Sequence, residues 1–232
     1  MYFLDEIYKR IFCVTFHEHY HLAMTFIRYT EGYEGDHPMF TENPFTMAQL
    51  YEYESRRGED LNFTYAEDWG GFNLTGRTIK DVIARGLIDI NKWDEKFLTI
   101  WARCVAEYPD LDFSLLGVSR FGRDNSVITH ETAHAFYAQD PVYKKKMDNL
   151  VNKIPLYKLD KIFQILAADG YTNMVWVDEV QAYFATGING WVEWDILDQE
   201  IDLKSIIKPF QEVFKEQTKT KFKTRVLIPH IK

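Results

Sequence analysis

His130-Glu131-Thr132-Ala133-His134 places two histidines four residues apart, with a glutamate directly after the first. On a helix that spacing puts both imidazoles on one face a single turn apart, so both can point at one cation. A catalytic zinc ion needs three protein ligands and keeps one position for water. Zinc lowers the pKa of that water to about 7, and a neighbouring carboxylate can take its proton as it attacks a carbonyl. His130 and His134 are therefore candidate Zn2+ ligands, and Glu131 is the candidate general base.

A third ligand has to come from elsewhere in the chain. Residues 175–184 read as a helix opened by Thr172 or Asn173 and stopped by Gly187. One stripe of it is Trp176, Val180 and Phe184, an ordinary core face; the adjacent stripe is Val175, Glu179, Ala182, Tyr183 and Thr186. That pattern half-buries Glu179, and a buried carboxylate needs a compensating charge, which a metal ion supplies. Glu179 lies 179 − 134 = 45 residues beyond His134, room enough for intervening helices to bring the chain back. Asp178 is the alternative third ligand.

The flanks of 130–134 suit a helix. Asp124-Asn125-Ser126 offers N-caps, Val127-Ile128-Thr129 leads in without charge, and Asp140-Pro141 closes it, because the residue before a proline is pushed out of the helical region. A second match to the same pattern, His17-Glu18-His19-Tyr20-His21, carries His19 and Tyr20 at its inner positions, where close packing favours small side chains. The stretch beyond it, Met24 to Tyr29, is dominated by β-branched and aromatic residues and reads as strand. On an alternating strand His17, His19 and His21 would share a face with Thr15, a surface cluster with some metal affinity. His37 and His230 stand alone, as exposed loop or tail residues.

His130-Glu131-x-x-His134 followed by Glu179 on a later helix resembles the zincin metallopeptidases, in particular the gluzincin branch with a glutamate as third ligand. The resemblance covers residues 125–187. It implies that His130, His134 and Glu179 bind zinc, that Glu131 is the general base and acid, and that the motif helix lies at a cleft. Gluzincins often carry an aspartate one turn after the ligand glutamate, orienting a zinc-bound histidine. Here that position is Tyr183, whose phenol would either donate to the oxyanion or pack, and Asp178 and Tyr137 are the other candidates for the orienting role.

The elements that must carry these residues suggest an α+β fold with two lobes in one zincin-like domain. A mixed lobe of about 1–120 holds a small sheet, and a mainly helical, metal-binding lobe covers about 121–232. Within 1–75 the pattern is irregular. Asp36-His37-Pro38 and Glu42-Asn43-Pro44 signal loops, Thr46-Met47-Ala48-Gln49 is a capping box opening a helix to about Gly58, and 67–73 is turn-rich and aromatic. Thr78–Asp81 begins a short helix stopped by Gly86. Asn91 caps a longer one with Phe97, Leu98, Trp101 and Val105 on its apolar stripe, and 112–119 is a strand. Helices come next at about 126–138, 142–153, 156–168, 174–186 and 203–217, with Pro209 expected to break or restart the last. Lys144-Lys145-Lys146 is a solvated helix face, Trp191-Val192-Glu193-Trp194 either lines a substrate groove or, the favoured reading, packs on the C-terminal helix, and Lys215, Lys219, Lys221, Lys223 and Arg225 form a polar helix end and tail.

The chain has 232 residues, 46% of them hydrophobic and 16% aromatic, which is enough to build a core and excludes a disordered chain. Its 27 Lys and Arg against 35 Asp and Glu give a net charge of −8, which argues against nucleic acid or an anionic membrane surface as partner. Cys13 and Cys104 sit among apolar residues and read as buried free thiols. Asp5, Glu6, Lys9 and Arg10 interrupt any signal-peptide stretch, and no segment offers the roughly 18 uncharged residues of a spanning helix, so a soluble, cytoplasmic protein is expected. The expected partner is a peptide or protein substrate, paired along the edge of the strand at 113–118. The expected activity is zinc-dependent peptide hydrolysis. Its rivals are a non-catalytic binding protein and a metal-dependent hydrolase of a non-peptide amide.

Overall fold

The computed structural model describes residues 1–35, 37–57, 62–120, 125–187, 202–219 and 225–228. The chain is mixed α and β, and it divides into two compact units, Met1–Ile128 with the C-terminal residues from Phe222, and Thr129–Lys221.

The first unit is built on one mixed sheet. β1 (Tyr2–Tyr8) and β2 (Ile11–Phe16) form an antiparallel hairpin that runs from Tyr2 opposite Phe16 to Tyr8 opposite Ile11. β3 (Gly71–Thr75) is antiparallel to β4 (Ser114–Ser119), β4 is parallel to β2, and β5 (Arg225–Ile228) is antiparallel to β1. The order across the sheet is β3-β4-β2-β1-β5. β4 thus has a partner on each side, and the expectation that it offers an edge to an extended substrate is overturned: the backbone groups such a substrate would pair with are already used by β2 and β3. Arg225, read as tail, opens a strand. Every residue of β2 and β4 is buried, so neither strand alternates buried with exposed positions.

α1 (His19–Glu34) runs through residues 24–29, where the sequence suggests strand. Leu22, Phe26 and Tyr29, spaced at helical intervals, are fully buried. Burial of that stripe outweighs the β propensity of the individual residues. Phe26 stacks on Phe72 and meets Phe97 edge-on, and Tyr29 stacks on Phe97 with ring centroids 3.6 Å apart. α2 (Pro38–Thr41) is capped by the His37 side chain. α3 (Met47–Arg57) opens with the expected capping box: Thr46 Oγ1 accepts from Gln49 N at 3.1 Å and Gln49 Oε1 accepts from Thr46 N at 2.8 Å. α4 (Tyr65–Asp68) and β3 occupy the stretch read only as turn-rich. α5 (Gly76–Arg85) ends at Gly86, which takes a φ of 105°, a conformation glycine adopts without steric cost. α6 (Lys92–Glu107) starts at the Asn91 cap; it buries Phe97, Ile100 and Cys104, with Leu98, Trp101 and Val105 half-buried beside them. Cys13 and Cys104 are both free and buried.

The second unit is helical. α7 (Asn125–Gln139), which belongs to this unit from Thr129 onward, carries the motif, and α8 (Pro141–Val151), α9 (Leu156–Ala168), α10 (Trp176–Thr186) and α11 (Leu203–Thr218) come after it. α11 continues through Pro209, because Ile207, Phe210 and Phe214 on its buried face hold the helix past the hydrogen bond the proline removes. Lys144, Lys145 and Lys146 are exposed on α8. Asp36, Gly58, Asp124, Trp191, Trp194, Lys221, Lys223 and His230 lie outside the described residues. Among the described residues no helix is long and apolar enough to cross a membrane.

Candidate metal centre

α7 and α10 each present one side of the centre. Small and uncharged residues around the motif let α7 bury everything from Glu131 to Tyr137. Its end is set by Asp140, which is extended ahead of Pro141 and accepts from Val142 N and Tyr143 N, capping α8. α10 is buried from Glu179 to Ala185 and ends at Gly187. Asp178 and Glu179 stand in its first turn, where the positive end of the helix dipole favours carboxylates.

Within this frame His130 Nε2 lies 3.0 Å from His134 Nε2, and their rings meet nearly at right angles. The Glu179 carboxylate straddles the pair, with Oε2 3.6 Å from His130 Nε2 and Oε1 3.5 Å from His134 Nε2. One ligand atom from each of His130, His134 and Glu179 falls within 4.8 Å of the others. A tetrahedral ion with bonds of about 2.0–2.1 Å sets its ligand atoms about 3.3–3.4 Å apart, so these separations fit one. Glu179 Oε2 is also buried and makes no hydrogen bond, its closest imidazole nitrogen being His130 Nε2 at 3.6 Å, an arrangement in which a desolvated acceptor favours a cation beside it. By spacing and by donor type, the three residues can hold a metal ion. They form the one such group among the described residues.

The electrostatics arise from the same contacts. Burial pushes the Glu179 carboxyl up, but the imidazoles of His134 and His130 outweigh it and bring the pKa down to about 2. Burial disfavours the charged form of His134, yet Asp178 and Glu179 outweigh that and hold its pKa well above 6.5. Glu131 is buried beside them; desolvation raises its pKa, against the opposing pull of His130 and His134.

The structure sorts the other candidates. Asp178 is not one of the three residues grouped here; its Oδ1 accepts from His134 Nδ1 at 2.9 Å, the kind of contact by which a carboxylate orients a ligand histidine. The Tyr183 ring lies 4.6 Å from that of His130, and its hydroxyl is 2.9 Å from the hydroxyl of Tyr171. Burial pushes the Tyr183 phenol up to about 12, with the Tyr171 hydrogen bond pulling the other way. Tyr137 donates to Asp148 instead. In the first unit, His19 Nδ1 bonds Ser119 Oγ at 3.0 Å and His21 pairs with Glu18 at 3.3 Å. α1 starts at His19, so the three histidines of 17–21 do not form a strand row, and they are not among the metal-holding residues. Nothing in the sequence spacing marks Tyr171; it reaches the centre because Trp176 Nε1 donates to its carbonyl and folds the segment before α10 back on itself.

No protein-family model, no curated protein and no solved structure matches this chain.

Proposed function

We propose that the chain is a zinc-dependent hydrolase of peptide bonds, with His130, His134 and Glu179 holding the ion and Glu131 moving the proton. The observation that supports it most directly is the meeting of those three ligand atoms across α7 and α10 with a buried Glu131 on the same helix. Two imidazole nitrogens and one carboxylate oxygen, at tetrahedral spacing and without sulfur, suit zinc. When bound, zinc lowers the pKa of a coordinated water to about 7 and polarises a carbonyl.

The Glu131 carboxylate takes a proton from the water as the water adds to the carbonyl carbon, and returns it to the departing amide nitrogen. Desolvation raises its proton affinity above that of an exposed glutamate, which suits a group that must accept from water and then donate. The Tyr183 phenol, protonated at neutral pH, donates to the carbonyl oxygen as negative charge develops there. The Tyr171 hydroxyl holds it in place.

The test is zinc content and cleavage of a peptide library by wild type and Glu131→Gln. The variant should keep one zinc per chain and lose roughly 10²–10⁴ in turnover. Zinc binding without Glu131-dependent cleavage would leave a binding protein or a hydrolase of another amide.

A further inference from the structure

We infer that Gln181 and Tyr143 are positioning residues of the metal centre, acting through Asp178 to present His134 as a ligand by its Nε2. The inference rests on the proposed metal centre, and extends it to two residues remote from the ion.

Asp178 Oδ1 accepts from His134 Nδ1 at 2.9 Å and from Gln181 Nε2 at 2.8 Å. Gln181 Oε1 in turn accepts from the Tyr143 hydroxyl at 3.2 Å. This chain can run only one way. A carboxylate has acceptors alone, so it must receive a proton from each neighbour. Gln181 therefore turns its NH₂ to Asp178 and its carbonyl to Tyr143, and the phenol has to donate. At the other end Nδ1 of His134 keeps its proton on Asp178, so Nε2 is the nitrogen that becomes a ligand when a metal displaces its proton, at the point where His130 Nε2 and Glu179 Oε1 converge.

Burial makes the arrangement decisive. Gln181 is 0% exposed and Tyr143 1%, so water does not compete for either group. The Asp178 side chain, by contrast, is 33% exposed, and an unrestrained carboxylate there could turn toward solvent. Gln181 stands three residues after Asp178 on the same face of α10 and pins it. Tyr143 comes from α8, with its backbone N–H tied to Asp140 and its ring against Phe136 of α7. Residues of α7, α8 and α10 thus fix one imidazole.

Zinc dissociation constants, measured by chelator competition at fixed pH, test this. Gln181→Met keeps length and bulk but removes the amide, and Tyr143→Phe removes one oxygen; each is made alone and with Asp178→Ala. Gln181→Met should weaken zinc by about 10–100-fold and Tyr143→Phe by about 3–10-fold. Neither should weaken it further once Asp178 is alanine. Unchanged affinity in both single variants, or the same loss with Asp178 absent, overturns the inference while leaving the metal centre standing. A wild type that binds no zinc overturns the metal centre and this inference with it. Should Gln181→Met fail to fold, Tyr143→Phe and its double variant carry the test.

Discussion

Asp178 Oδ1 sits 2.9 Å from His134 Nδ1, so the carboxylate that meets this ring nitrogen comes one residue before Glu179 in the chain and not one turn after it. Both acids leave the first turn of α10, yet only Glu179 reaches the Nε2 atoms of the two histidines. Two variants should therefore behave differently. Glu179→Ala removes a ligand and should abolish stoichiometric zinc. Asp178→Asn keeps the shape but offers a weaker acceptor, and should retain zinc with affinity lower by about 10–100-fold. Metal analysis after dialysis separates them, and a reversed order would make Asp178 the ligand.

The charges at the centre give a pH dependence of definite sign. In the metal-free protein His134 is held well above 6.5, so its contribution to stability is complete below 6.5 and is lost as pH rises through the folded value. Glu179 is held near 2, so its contribution is complete above 4.5 and is lost as pH falls toward 2. With chelator present, wild type should exceed His134→Gln in stability most clearly between pH 4.5 and 6.5, and the gap should narrow in alkali.

Metal binding must expel the proton that His134 holds, so zinc affinity should fall as pH falls, with proton release near neutrality. Titration calorimetry in buffers of differing ionisation enthalpy reads that release; heats independent of buffer would contradict it.

Gly117 of β4 lies against side chains of α1. A Cβ there would come within 2.7 Å of Phe26 Cζ and 2.8 Å of Leu22 Cδ1. Both side chains are fully buried and cannot move aside freely. Gly117→Ala should cost about 1–3 kcal/mol by overpacking, measured by urea denaturation; a neutral result would mean the sheet and helix yield more than their packing suggests.

Local signals are the legible ones in this sequence. The Thr46/Gln49 capping box, the Asn91 cap, the Gly86 stop and the Asp140-Pro141 boundary all involve residues within a few positions of each other, and all stand where the sequence places them. The grouping of His130, His134 and Glu179 is legible for a similar reason: a turn of α7 fixes His130 against His134, and the stripe on α10 marks Glu179 as buried. The features that the sequence hides depend on distant partners. β2, buried throughout, shows no alternation to announce it or its hairpin partner β1, and the helical stripe of residues 24–29 matters only once Phe72 and Phe97 cover it. Gln181 is three residues from Asp178, a spacing that could flag it; Tyr143 and Tyr171 reach their partners by helix packing and turn geometry that no spacing announces.

Arg28 and Asp94 form a second ionic feature, buried among the helices of the first unit. Their side chains are 1% and 3% exposed, with Arg28 Nε 3.3 Å from Asp94 Oδ1 and Arg28 NH1 donating to the Ile88 carbonyl at 2.7 Å. Asp94 also closes the capping box at the start of α6, accepting from Asn91 N. Removing one partner of such a pair leaves a desolvated charge alone, and that loss, more than the attraction itself, sets the cost. Arg28→Met should therefore cost about 3–5 kcal/mol at neutral pH. Burial already raises the Asp94 pKa, against the Asn91 hydrogen bond and Arg28, and losing Arg28 removes one of those opposing pulls. An acid with a raised folded pKa binds its proton more tightly folded than unfolded, so stability is regained as pH falls toward 3.8. Urea denaturation at about pH 7 and about pH 4.5 should show the deficit of Arg28→Met shrinking in acid. A deficit equal at both pH values would mean that lost packing of the arginine, and not the stranded carboxylate, is what destabilises the variant.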